Sequence, residues 1–115
     1  MTLTVYHLKT CDTCRKAIKA LQAGGHTLEL VDVRADGVDR SVLESFEGEH
    51  GWELLLNRRS TTWRGLDERD KSDVTSTKAI DLMMTHPTLI KRPLIRSNDH
   101  TTIGWSKEVQ AVWLI

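Results

Sequence analysis

A chain of 115 residues that is 39% hydrophobic carries enough apolar side chain for one core and too little for two, so a single domain over 1–115 is expected. Lys plus Arg and Asp plus Glu both number 16, a formal net charge of zero that argues against general attraction to nucleic acid or to a membrane surface. No apolar run approaches the roughly 20 residues of a membrane span, and Met1–His7 lacks the basic and apolar regions of a secretory signal, which makes the cytoplasm the expected compartment.

The stretch from Leu3 to Leu8 alternates apolar with polar residues and is rich in β-branched and aromatic side chains, the pattern of a strand. Thr10-Cys11-Asp12-Thr13-Cys14 then opens a helix. Cys14, Ala17, Ile18 and Leu21 form its apolar stripe, Arg15, Lys16 and Lys19 face elsewhere, and Gly24-Gly25 ends it. Leu28–Val33 reads as a second strand. Strand, helix and strand in so short a span make a βαβ unit, which normally pairs its strands in parallel through a right-handed crossover.

From about 35 to 88 the pattern turns helical. Asp39 is placed to cap a segment with Val42, Leu43 and Phe46 on one face, ended by Gly48 or Gly51. Leu54-Leu-Leu feeds a polar, basic loop through Arg64. A further helix, capped by Asp73 or Ser76, carries Ala79, Ile80, Met83 and Met84 as its apolar face and stops at His86-Pro87. Pro93–Arg96 and Thr101–Gly104 read as strands joined by the turn cluster Ser97-Asn-Asp-His, and Ser106 caps a last helix with Val109, Val112 and Trp113 inward. The order is β-α-β, a helical insertion over about 35–88, then β-β-α, an α/β fold.

A cysteine where a strand ends and a helix starts meets unpaired backbone N–H groups and the positive end of the helix dipole, both of which favour an anion. Thiol pKa values fall from about 8.5 to as low as ~3.5–7.5 in such settings. Cys11 is therefore the expected nucleophile, with Arg15 and Lys16 adding positive charge one turn on. Cys14, on the inward stripe, is the expected resolving or structural thiol. Two ordinary buried cysteines would share the same spacing. Half a zinc site completed by His7 or His26 is a further reading, but no second Cys-x-x-Cys or paired-histidine motif supports it and no metal is expected. His50, His86 and His100 have no motif attached.

Arg92 immediately precedes Pro93 at a strand start, where a cis peptide bond can be built in and the guanidinium directed toward Cys11. Guanidinium offers a planar fork suited to an oxyanion or carboxylate. Arg58, Arg59 and Arg64 cluster beside Thr61, Thr62 and Trp63, either as a solvated face or as a binding edge.

Three blocks, Tyr6-His-Leu-Lys-Thr-Cys-Asp-Thr-Cys-Arg-Lys-Ala, Leu54-Leu-Leu-Asn-Arg-Arg-Ser-Thr-Thr-Trp-Arg-Gly-Leu-Asp and His86-Pro-Thr-Leu-Ile-Lys-Arg-Pro-Leu-Ile, together resemble the arsenate reductase-like family that includes the Spx-type redox regulators. The chain is most similar to the short reductase-like YffB branch. The resemblance implies a thioredoxin-like fold with a helical insertion and a cis bond at Pro93. It implies Cys11 as nucleophile, Arg92 as an oxyanion contact, and Arg15 as the arginine of a Cys-x-x-x-Arg pattern. Arg59 resembles the arginine of the Spx-type and reductase-like branches. Thr13 and Pro93 join Arg15 and Arg59 as expected substrate-binding positions. Asn57 stands where glutaredoxin-linked arsenate reductases carry an arginine, and Gly104-Trp105 where they carry another. These departures from a three-arginine cage argue against arsenate as substrate. Cys14, where those reductases usually have serine, argues for an intramolecular disulfide option.

The expected activity is a thiol-dependent oxidoreductase in which Cys11 attacks a disulfide, a glutathione adduct or an oxyanion. It would use no tightly bound cofactor, take glutathione or another thiol as co-substrate, and accept glutaredoxin as a partner. The alternative is a Spx-like redox-sensing regulator that binds RNA polymerase through a Cys11–Cys14 switch. Spx-type chains usually continue past the last helix, whereas this one stops at Ile115, which favours the enzyme. A family member without redox activity fits the sequence as well.

Overall fold

The computed structural model describes residues 2–114. It divides the chain into two compact units, Met1–Asp36 with Arg92–Ile115, and Gly37–Lys91, the latter corresponding to the expected helical insertion.

The first unit is a four-stranded mixed sheet in the order β2-β1-β3-β4. β1 (Thr2–His7) pairs in parallel with β2 (Thr27–Asp32), from Thr2 opposite Thr27 to His7 opposite Asp32, and the helix α1 (Asp12–Ala23) makes the crossover. β3 (Leu94–Arg96) pairs antiparallel with β1, placing Val5 opposite Ile95, and β4 (Thr101–Ile103) pairs antiparallel with β3. The fold is thioredoxin-like, as the family resemblance implies, and its element order is the one expected. α1 buries Cys14, Ala17 and Leu21 at its expected helical spacing, while Ile18 is partly buried against the core. That core gathers Leu3, Val5, Leu21, Ile95 and Trp113 on one face of the sheet. Burying each such side chain is worth roughly 1.5–3 kcal/mol.

The last helix, α7 (Lys107–Trp113), starts at Ser106, whose hydroxyl accepts the Val109 N–H at 3.3 Å. Trp113 Nε1 donates to Thr102 Oγ1 at 2.8 Å, and the Trp113 carbonyl lies 2.8 Å from His26 Nε2, so the carboxy-terminal helix is bonded to the sheet as well as packed on it. Val112, expected inward, is 40% exposed. The partly buried Val109 and the large indole of Trp113 fill that contact instead.

The second unit is helical. α2 (Arg40–His50) buries Val42, Leu43 and Phe46 and ends at Gly51, whose φ of 86° suits glycine. Asp39 occupies the N-cap position but its side chain makes no capping bond. α6 (Ser76–Thr85) starts neither at Asp73 nor at Ser76. Thr75 caps it, accepting the Lys78 N–H at 3.2 Å, and Asp73 sits at φ 52° in the turn before it. Ala79, Ile80 and Met83 are buried as expected, and Leu82 joins them in place of Met84, which is exposed. The end of the expected basic loop forms a single helical turn, α4 (Thr61–Arg64), and further single turns, α3 (Trp52–Leu55) and α5 (Glu68–Lys71), stand before and after it. Such turns are too short for periodicity to register, and of the three only α4 has a side-chain cap. Ser60 Oγ accepts the Trp63 N–H at 3.2 Å to start α4.

Candidate functional site

Cys11 is the N-cap of α1, in extended backbone with φ −88° and ψ 112°. Its sulfur accepts the Cys14 N–H at 3.3 Å, the place an Asp or Ser oxygen takes in an ordinary cap. Burial by itself would raise the Cys11 thiol. Hydrogen bonds from the Cys14 side chain and backbone, then a hydrogen bond and the positive charge of Arg92, outweigh it and hold the thiol below its ordinary value. Cys14 moves the other way. Buried in the helix stripe and hydrogen-bonded to Cys11, it is pushed up to about 12. Both cysteines are free thiols. The two thiols are thus shifted in opposite directions, Cys11 toward the thiolate and Cys14 toward the protonated form.

Arg92 enters through a cis peptide bond to Pro93. Pro93 is buried, and its carbonyl accepts the Gly104 N–H at 2.9 Å, which ties the start of β3 to the exit of β4. The structure therefore brings Cys11, Cys14, Arg92 and Pro93 together. Arg15 is less committed to the sulfur. Its guanidinium pairs with Asp12, and its Nη1 donates to the Lys9 carbonyl at 3.4 Å, so it braces the turn from the solvent side. Thr13 lies exposed in the first turn of α1.

The turn itself runs from Leu8 to Cys11, closed by the Cys11 N–H on the Leu8 carbonyl at 2.9 Å. A residue absent from the sequence-based candidates meets it from below. Asp32, at the end of β2, is 5% exposed, and one carboxylate oxygen accepts the Lys9 N–H at 3.2 Å. The other accepts the Arg34 and Ala35 N–H groups at 2.9 and 2.8 Å. The Ala35 N–H first, then those of Arg34 and Lys9, hold this carboxyl below the usual carboxylate range against the cost of burial. An acid at the inner end of the strand, directly after Leu30-Val31, is the signal that could have found it.

Arg59 belongs to the second unit, where Asn57 shapes its backbone. The Asn57 side-chain oxygen accepts the Arg59 N–H at 3.1 Å, its carbonyl accepts the Ser60 hydroxyl at 3.1 Å, and its N–H donates to Leu89 O at 2.7 Å. Asn57 is thus a turn-forming residue. Arg58, Arg59 and Lys91 line an open cleft of about 320 Å³ together with Glu53, and Arg58 stacks over Trp52 with 5.8 Å to the ring centroid. Among the described residues, no group of three or more His, Cys, Asp or Glu gathers as a metal would require. His7 is buried opposite Asp32, and His26 is engaged by Trp113. Gly104, with φ 84°, and the half-buried Trp105 stand where a third arginine was sought, so no guanidinium comes from there.

A strand-end thiol capping its own helix, with an arginine on a cis X-Pro bond beside it, defines a thioredoxin-like protein with a free cysteine at the start of its first helix. The sequence model of the ArsC family matches residues 6–112, and the chain belongs to that family of thiol-dependent oxidoreductases. An uncharacterized protein of Haemophilus influenzae is 44% identical over 112 residues, covering 96% of this chain and 98% of that relative. The solved structure of a YFFB protein superposes with a TM-score of 0.93 at 38% identity, covering 98% of this chain and 99% of that one. An arsenate reductase (ArsC) related protein from Brucella melitensis is 33% identical with a TM-score of 0.75, covering 100% of this chain and 97% of that one.

Proposed function

We propose that this protein reduces disulfides or glutathione adducts by thiol exchange at Cys11, in the reducing environment of the cytoplasm. The observation that carries the reading is the Cys11 sulfur accepting the Cys14 N–H at 3.3 Å beside Arg92, a setting that stabilises a thiolate. In the first step the thiolate attacks one sulfur of the substrate disulfide. A Cys11 mixed disulfide forms, and the other half leaves as a thiolate that takes up a proton. Arg92 and Arg15 hold the anionic group of the substrate, and Thr13 and Pro93 shape the surface against it. Within the second unit, Arg59 is an anion-binding position of its own, beside Arg58 and Lys91.

In the second step either glutathione or another external thiol, carried by glutaredoxin where one is the partner, or Cys14 attacks the Cys11 sulfur and releases the bound half. Release by Cys14 leaves a Cys11–Cys14 disulfide that two electrons from external thiol then reduce. Cys14 holds its proton while Cys11 is a thiolate. Burial is the first cause that keeps the proton on Cys14, and the hydrogen bond to Cys11 and the Cys11 charge add to it; a mixed disulfide at Cys11 removes the last of these and so eases the resolving step. An oxyanion such as arsenate is a weaker fit, since Asn57 and Gly104-Trp105 supply no guanidinium.

The test is the rate of Cys11 alkylation against pH in the wild type and in Cys14→Ser, followed by turnover of a glutathione mixed disulfide. A Cys11 pKa well below about 8.5 with thiol-dependent turnover is expected. An ordinary pKa defeats the enzyme reading. Absence of turnover together with co-purification of RNA polymerase moves the protein to the redox-regulator class.

A further inference from the structure

The Asp32 carboxylate divides its two oxygens between different tasks. Oδ1 accepts the Arg34 and Ala35 N–H groups, a local arrangement that turns the chain out of β2. Oδ2 is not needed for that turn. It reaches 23 residues back along the chain to the Lys9 N–H at 3.2 Å, inside the turn that presents Cys11. A buried carboxylate is costly unless its acceptor sites are used, and here a backbone donor of the nucleophile turn uses one of them. The surroundings anchor the acid in turn. Its own N–H donates to the Asp36 carboxylate at 2.9 Å, His7 stands opposite it in the sheet, and the Val33 N–H donates to the His7 carbonyl at 2.8 Å.

We propose that Asp32 is the positioning residue of the nucleophile turn: through the Lys9 N–H it fixes Leu8–Cys11 so that the Cys11 sulfur stays at the end of α1 against Arg92. This inference rests on the thiolate reading above. Asp32 touches no substrate and is not a catalytic residue. Its effect passes through geometry, since the bonds that favour the thiolate weaken steeply with distance, and a misplacement of about 1 Å can cost on the order of a hundredfold in rate.

The selective variant is Asp32→Asn. An amide has one accepting oxygen. If that oxygen keeps the Arg34 and Ala35 donors, the NH₂ group faces the Lys9 N–H donor to donor, and the turn loses its tether while the β2 exit keeps its bonds. The readout is the pH profile of Cys11 alkylation, with thermal unfolding recorded in parallel. Expected is a Cys11 pKa raised by about half to one unit, with alkylation near neutral pH roughly three- to tenfold slower. Asp32→Glu should restore part of the shift. Lys9→Ala should leave the profile unchanged, because the bond comes from its backbone.

A lowered Cys11 pKa in the wild type that does not move in Asp32→Asn, even with a reduced melting temperature, overturns the positioning role and leaves the thiolate reading standing. An ordinary wild-type pKa overturns both. Should Asp32→Asn fail to fold, amide exchange in the wild type decides the matter. Lys9 N–H exchange slowed at least about tenfold relative to an unstructured chain supports the tether, and unprotected exchange overturns it.

Discussion

In Met1–Asp36 with Arg92–Ile115, order comes from strands that pair across long sequence separations and from an apolar face shared by β1, β3, α1 and α7. In Gly37–Lys91 two helices of ordinary length share the buried residues with Leu55, Leu56, Leu89 and Ile90, and the chain between the helices runs through single turns, of which only α4 has a side-chain cap. The contrast shows where chemistry can be held tightly. Cys11 is placed by backbone hydrogen bonds at a strand end, whereas Arg59 sits exposed after a turn set by one asparagine. A nucleophile needs the first kind of support, which a turn set by a single asparagine does not give.

The contrast is broken most directly by separating the two residues. Cys11→Ser should lower the rate of the fast-alkylating thiol by at least a thousandfold, since a hydroxyl of far higher pKa replaces a thiolate. Arg59→Ala should leave the Cys11 pKa in place and raise KM for an anionic disulfide. A shift of the Cys11 pKa in Arg59→Ala would show that the second unit also sets the thiol.

Core truncations sharpen the comparison next. Phe46→Ala should cost about 3–5 kcal/mol and Leu21→Ala about 2–5 kcal/mol in chemical denaturation, both side chains being fully buried. A cost under about 1 kcal/mol for Phe46→Ala would mean that the helical unit lacks a core of its own.

The pH dependence of stability should carry the opposed shifts of the two thiols. Cys11, held below its ordinary 9.0, contributes stability present above that value and lost as pH falls through its folded pKa. Cys14, raised from 9.0 to about 12, contributes stability that is full below 9.0 and lost as pH rises toward 12. Urea midpoints should therefore fall between about pH 9 and 12, and Cys14→Ser should flatten that fall; an equally steep fall in the variant would assign it to other groups. The smallest effects belong to the caps. Ser106→Ala in the first unit and Thr75→Ala in the second should each cost about 1 kcal/mol, measured as a shift in melting temperature, because each removes one capping acceptor.

The first unit was largely legible because its signals are periodic. The alternation in Leu3–Leu8 and the Cys14, Ala17, Leu21 stripe reappear as β1 and as the buried face of α1, and Ser106 caps the last helix as its position suggests. The insertion was read less well. Asp39, Asp73 and Ser76 are all good capping types, and only the course of the chain decides that Thr75 caps α6 while Asp39 caps nothing. Met84 and Val112 were expected inward and lie exposed, since spacing alone does not define the edge of a stripe: Leu82 is buried where Met84 is not, and Trp113 is buried where Val112 is not.

What the sequence determined by itself is local. The nucleophile candidate follows from a cysteine between a strand pattern and a helix pattern, and the arginine candidate from its place before Pro93. The tertiary structure decided how those local features act on one another. It set the Cys11 sulfur as the cap of its own helix, separated the two thiols into one lowered and one raised, turned Arg15 toward Asp12, and put the buried Asp32 under the Lys9 amide. The physical reason is that a pKa or a tether depends on distances between groups far apart in sequence, and those distances exist only once the sheet has paired.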